Sequence, residues 1–140
     1  MRRFTQVDVF TDQLTFGNPL AVVHDAHELT TQVMADFASW TNLSETTFLS
    51  APTDARADYQ VRIFTTRSEL PFAGHPTLGS AYAWLAAGGK PKNPEELIQQ
   101  CGAGLVRVRR DETRLSFAVD GHVSPDVSRV ALTRLSDALA

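Results

Sequence analysis

Two stretches of the chain carry residues able to move a proton. One is Asn42-Leu43-Ser44-Glu45-Thr46-Thr47-Phe48, the other Ser68-Glu69-Leu70-Pro71-Phe72-Ala73-Gly74-His75-Pro76-Thr77-Leu78-Gly79-Ser80. A carboxyl such as Glu45 serves as a general acid or base when its environment lifts its pKa toward neutrality, and burial beside apolar groups does that. Strand-like alternation from Glu45 to Leu49 puts Glu45, Thr47 and Leu49 on one side and Thr46 with Phe48 on the other, so the carboxylate shares a face with an apolar residue. Taken alone, a glutamate on a strand reads as a solvated side chain, because carboxylates are seldom buried. His75 can donate, accept or relay a proton.

The second stretch also reads as the start of a helix. Pro76 has no N–H and a φ preset for a first helical turn, which places it at the first helical position and makes His75 the N-cap. From Pro76 to Ala87 the residues are nearly all small or apolar, with no charged face, and Gly88-Gly89 ends the run. Such a helix is buried. Its N-terminus turns free N–H groups and partial positive charge toward whatever lies in front, which suits a carboxylate or phosphate, and Gly74 lets a ligand come close to the backbone. The substrate-binding candidates are therefore Gly74, His75 and Pro76, and the catalytic candidates Glu45 and His75. A Gly-His-Pro turn by itself is also compatible with a helix entry and nothing more.

The remaining elements must hold these two stretches together. Gln6 to Thr11 and Leu20 to His24 read as strands, joined by a turn-rich connection through Gly17-Asn18-Pro19 that resembles a plain hairpin loop. A helix capped at Thr30 or Thr31 runs to about Thr41, with Val33, Met34, Phe37, Ala38 and Trp40 as its core face and Asn42 as its end. Asp58 to Thr66 alternates, with Tyr59, Val61 and Ile63 set against Gln60, Arg62 and Phe64. Leu97 to Gln100, Gly104 to Arg109 and Leu115 to Val119 close the set, the last two as a hairpin turning near Asp111-Glu112-Thr113. The fold class that follows is α+β: a curved, mostly antiparallel sheet wrapped around one buried helix, rather than alternating βαβ units.

Composition narrows the function. The chain has 140 residues, 43% hydrophobic and 21% charged, which describes one ordinary globular domain. A net charge of −3 gives no reason to expect nucleic acid or an anionic membrane as partner, and no run approaches spanning length. The single cysteine, Cys101, excludes an intrachain disulfide, and with no apolar leader at the start the natural setting is cytoplasmic. Cys101 itself reads as a small buried apolar residue rather than a nucleophile. His24, Asp25 and His27 lack a further ligand at zinc-like spacing and read as an exposed strand end, so no metal is expected. Arg107, Arg109, Arg110 and Arg114 read as the wet face of a half-buried strand rather than a phosphate site.

Taken in order, Val7-Asp8-Val9-Phe10-Thr11, Gly17-Asn18-Pro19-Leu20-Ala21-Val22, Asn42 to Phe48, Arg62-Ile63-Phe64-Thr65 and Glu69 to Gly79 resemble the PhzF-type isomerases, the phenazine-biosynthesis proteins and their relatives, over nearly the whole chain. The resemblance implies the diaminopimelate-epimerase-like fold, two similar halves with the site in the cleft between them. It implies that Glu45 is the general acid/base, taking a proton from one carbon of a small carboxylic acid and returning it to another, without metal or organic cofactor. His75 would help place substrate or relay the proton, and the Gly74 and His75 end of the helix would hold the substrate carboxylate or a polar ring substituent. Related epimerases use two cysteines, which Gly74-His75 and the later Cys101 do not supply.

The likeness also points to what is missing. Family members run to about twice this length, and their Gly-Asp-Pro-Ala-Thr-Gly-Ser-like motif in the second half has no counterpart here. The expectation is an N-terminal domain over residues 1–122, with 123–140 a helical segment leading toward a second domain absent from this chain. The expected account is a truncated isomerase; the alternative is a natural half that pairs with a second half or with another copy of itself. The rival reading is a non-catalytic domain of the same fold that binds small anions or pairs with itself.

Overall fold

The computed structural model describes residues 1–111 and 114–118. Ten elements follow one another: β1 (Phe4–Val9), β2 (Asn18–Val23), α1 (Thr31–Thr41), β3 (Thr46–Ser50), β4 (Tyr59–Phe64), β5 (Glu69–Leu70), α2 (Gly74–Ala86), β6 (Glu96–Cys101), β7 (Gly104–Arg110) and β8 (Leu115–Phe117). The sheet runs β1-β2-β3-β4-β6-β7-β8, with the short β5 alongside β4. Most pairings are antiparallel, as expected. The exceptions are β2 with β3 and β4 with β6. Each parallel pair is joined by a helix, because a chain that must re-enter a sheet in the same direction needs a crossover. Both helices were expected as helices; their role as crossovers between parallel strands was not.

The helices lie on opposite faces. On one face α2 packs against strands from β1 to β8, and Val7, Val9, Leu20, Val22, Leu49, Tyr59, Val61, Ile63, Leu97, Val108 and Leu115 close around its Leu78, Ala81 and Ala83. One helix reaches both edge strands of the sheet because the sheet curls around it. On the other face, α1 supplies Met34 and Ala38 to a smaller cluster with Val23, Ala26, Phe48 and Phe64. This explains why Leu20 to Val23 is buried without a break, and why Phe64, expected on the polar side of its strand, is buried too. Gly79 lets α2 sit close: a Cβ there would lie 2.5 Å from Leu20 Cδ2. The α+β assignment stands, with a helix on each side of the sheet.

Local signals account for most element ends. Thr30 accepts from the Val33 N–H to cap α1, and Asn42 ends it with φ 56°, in the left-handed region that asparagine tolerates. Gly88, at φ 97°, ends α2, and the Gly88 and Gly89 N–H groups return to the Leu85 and Trp84 carbonyls as in a Schellman motif. Two corrections concern α1, whose Val33 and Trp40 are exposed, Trp40 at 79%. The stripe that the sheet covers is narrower than the apolar residues that could fill it. Asp111 and Arg114 bracket the expected β7–β8 turn, with paired hydrogen bonds of 3.0 and 2.8 Å. Arg107, Arg109, Arg110 and Arg114 are exposed, as expected. The expected helical segment 123–140 and the boundary at 122 lie outside the described residues.

His24 is a further correction. It is only 6% exposed, and its Nε2 lies 3.0 Å from Thr5 Oγ1 across the β1–β2 pair. Burial holds the imidazole below the ordinary histidine pKa, the Arg3 charge adds to this, and Asp25 opposes it. The unfolded chain therefore binds this proton more readily than the folded one. The His24 contribution to stability is fully present above about pH 6.5 and is lost as pH falls toward the depressed folded value. Replacing His24 by Gln is expected to flatten the loss of stability between about pH 7.5 and about pH 5.5, measured as urea midpoints against the parent chain. Equal losses in both proteins would exclude His24 as the source.

Candidate active site

Three connections bring the acid–base candidates together at one end of the sheet. Asn42 stops α1 and turns the chain so that Glu45 sits immediately before β3, which begins one residue later than expected. The register pairs Val9 with Asn18, which puts the end of β1 and the start of β2 at this same rim. The chain then returns through β5 and enters α2 at Gly74, with His75 in its first turn. The expected alternation holds beyond Glu45: Thr47 accepts from Ser80 of α2 at 2.9 Å and Leu49 lies in the core around α2, whereas Phe48 faces α1.

Glu45 and His75 meet directly. His75 Nδ1 lies 2.9 Å from Glu45 Oε2, and His75 Nε2 lies 2.9 Å from the Asn18 carbonyl oxygen. Their side chains are 9% and 19% exposed for His75 and Glu45 respectively, so the pair is sheltered but reachable. A carbonyl can only accept, so Nε2 carries a hydrogen and donates it to Asn18. The Nδ1 contact then needs one more proton, either on the carboxyl with a neutral imidazole or on Nδ1 with a carboxylate. Both arrangements keep the same geometry. One proton is thus held between an acid and a base that are already aligned, an arrangement able to deliver or collect a proton without rearranging.

The helix entry differs in detail from expectation. The N-cap is Ala73, with φ −155° and ψ 141°, so His75 is the second helical residue and Pro76 the third. Proline is tolerated throughout this turn, because none of its N–H groups has an intrahelical partner, and so its presence does not fix the starting residue. The first helical bond is Thr77 N–H to the Ala73 carbonyl at 3.1 Å. The amides of Gly74 and His75 precede it, and Ala73 offers no side chain to cap them. That leaves them suited to an anion. Gly74 has a structural reason of its own, since a Cβ there would lie 2.8 Å from Cζ of Phe117 on β8. The space beside it belongs to Phe117, not to an approaching ligand. Pro76 is buried in the helix.

Three contributors were not legible from the sequence. The Asn18 carbonyl, from a loop read as a plain connection, fixes the His75 ring. Phe10, read as part of a strand, lies beyond β1 with its ring centroid 6.0 Å from that of His75. Gln99 of β6, fully buried, accepts from the Tyr59 hydroxyl and donates to Thr77 Oγ1, each at 3.0 Å, while Thr77 Oγ1 donates to the Ala73 carbonyl at 2.8 Å. This chain of hydrogen bonds bolts the first turn of α2 to the sheet. Cys101, expected to be buried, is only partly so at the end of β6. Among the described residues, no three His, Cys, Asp or Glu side chains form a group able to hold a metal ion.

The family model for phenazine biosynthesis-like proteins, PhzC-PhzF, matches residues 7–139, which takes in every element of this site. The chain belongs to the PhzC-PhzF family. Among its relatives, Antisense-enhancing sequence 1 of Schizosaccharomyces pombe is 44% identical over 142 residues, an alignment spanning 97% of this chain and 48% of that protein. Trans-2,3-dihydro-3-hydroxyanthranilate isomerase of Pseudomonas aeruginosa is 45% identical over 83 residues, 59% of this chain and 30% of the isomerase. A crystal structure of a PhzF-family phenazine biosynthesis protein from Enterococcus faecalis superposes with a TM-score of 0.72 at 29% identity, over 82% of this chain and 43% of that one. The chain therefore spans about half the length, or less, of the PhzF relatives it matches. Among the described residues, no helix is long and apolar enough to cross a membrane.

Proposed function

We propose that this PhzF-family chain supplies the acid–base half of a cofactor-independent isomerase that moves a proton between two carbons of a small carboxylate-bearing metabolite in the cytoplasm. The observation that carries the reading is the contact between Glu45 and His75, aligned by the Asn18 carbonyl. Glu45 as carboxylate takes a proton from an acidic carbon, and the electron pair left behind delocalises into the adjoining unsaturation. A proton then returns from the same carboxyl, after exchange with solvent, to a different carbon, so the reaction is redox-neutral and needs no second reactant. His75 fixes the Glu45 carboxyl and relays its proton, while the Gly74 and His75 amides at the α2 N-terminus hold the substrate carboxylate against partial positive charge. The opposite wall of the cleft comes from a second half, either a further domain or another copy.

The test is a chimera joining this chain to the second half of the Pseudomonas aeruginosa isomerase, incubated in deuterium oxide with trans-2,3-dihydro-3-hydroxyanthranilate, the compound in that relative's name. Deuterium is expected at carbon in the isomerised product, read by mass spectrometry. A folded chimera that binds the compound without either isomerisation or exchange would overturn the proposal in favour of a binding domain.

A further inference from the structure

Phe10 stands apart from the packing of the described residues. It belongs to neither apolar core, it is 49% exposed, and its φ is 65°, a region that bulky side chains rarely occupy. Backbone strain of this kind persists only where the surroundings enforce it. Here they do. Asp8, nearly buried, accepts from the Gly17 N–H at 3.2 Å and so pins the two ends of the loop together. Thr11 Oγ1 donates to the Gln13 carbonyl at 2.6 Å and accepts from the Gln13 N–H at 2.9 Å, and the Phe16 N–H reaches back to the same carbonyl at 3.3 Å. The result is a built loop that holds one half-exposed aromatic ring beside His75, tilted 37° to the imidazole.

We infer that Phe10 is a substrate-contacting residue, whose ring forms a wall of the Glu45–His75 site and favours flat, conjugated carboxylates over puckered, saturated ones. The inference rests on the proposed reading of that site and adds a substrate class to it. Moving a proton between carbons passes through a delocalised anion that is planar where the charge spreads. A fixed aromatic face gains most from contact with a planar partner, and gains less from a ring whose hydrogens stand off it. Phe10 therefore adds selectivity where Glu45 and His75 supply the proton chemistry.

The test uses the 140-residue chain labelled with nitrogen-15 on histidine, titrated with benzoate and with cyclohexanecarboxylate, ligands alike in charge and size but not in flatness. Both are expected to shift the His75 ring signals, with benzoate binding roughly fivefold more tightly, an amount typical of one aromatic contact. Phe10→Leu is expected to bring the two affinities within about twofold of each other, with cyclohexanecarboxylate little changed. Phe10→Gly should lose the same preference while raising Tm, because glycine adopts a positive φ without strain. A parent chain that shifts with both ligands at equal affinity overturns the role of Phe10 alone, as does a Leu variant that keeps the preference. A Gly variant with a lowered Tm would mark the ring as structural and overturn it too. If neither carboxylate moves the His75 signals, the anion-binding reading of the whole site falls.

Discussion

Replacing Glu45 by Gln in the chimeric protein is expected to slow deuterium exchange at substrate carbon by about 10²- to 10⁴-fold, the usual contribution of a positioned acid or base. The amide fills the same space and can donate to His75 Nδ1, so the 2.9 Å contact survives, but it cannot take up a proton. Substrate affinity should change little, because the proposed carboxylate contacts are backbone amides of α2 that the substitution leaves alone. The prediction therefore separates chemistry from binding: the exchange rate collapses and the dissociation constant stays within a few fold. An E45Q protein that exchanges at the parent rate would remove Glu45 from the mechanism. A loss of affinity as large as the loss of rate would make Glu45 a binding residue instead.

The second large effect is on stability. Gln99→Leu is expected to destabilise the chain by about 2–4 kcal/mol, because the leucine strands one buried hydroxyl and takes one of two hydrogen bonds from another. The Tyr59 hydroxyl loses its acceptor and Thr77 Oγ1 loses its donor, each formerly at 3.0 Å. Tyr59 is buried, and burial pushes its phenol well above the ordinary pKa, so it cannot shed the stranded proton by ionising. Adding Tyr59→Phe to the Leu variant removes the stranded hydroxyl and should recover part of the loss, about 1 kcal/mol or more. Urea melts of the parent, the two single variants and the double variant check this. If Gln99→Leu costs less than about 0.5 kcal/mol, or if the double variant is no more stable than the Leu variant, the hydrogen-bond chain does not anchor the helix.

The features legible in the sequence were those set by local chemistry. Thr30, Asn42 and Gly88 mark helix ends because a capping hydroxyl and a left-handed residue act within a few positions of themselves. Glu45 and His75 were legible as candidates through residue type and motif, and they do meet. The start of α2 was placed two residues late, since proline satisfies any position in the first turn equally well. What depends on remote register was hidden. Nothing local to Phe64 announces that α1 will cover the outer face of its strand, and nothing local to Trp40 announces that the cover stops short of it. The Asn18 carbonyl and the Gln99 amide serve the site only because β2 and β6 pair where they do.

The anchor of the His75 ring is a main-chain oxygen, that of Asn18. No exchange of side chain at position 18 deletes a carbonyl, so the protein is insured there against the commonest kind of genetic error. Pro19 follows it, leaving the peptide between them without a hydrogen to offer. Drift at this position is therefore cheap so long as the strand keeps its place, whereas an insertion or deletion nearby would carry the oxygen away and leave the imidazole free to turn. For anyone recombining such domains, the safe crossover points lie away from the 10–19 segment, however unremarkable its side chains look.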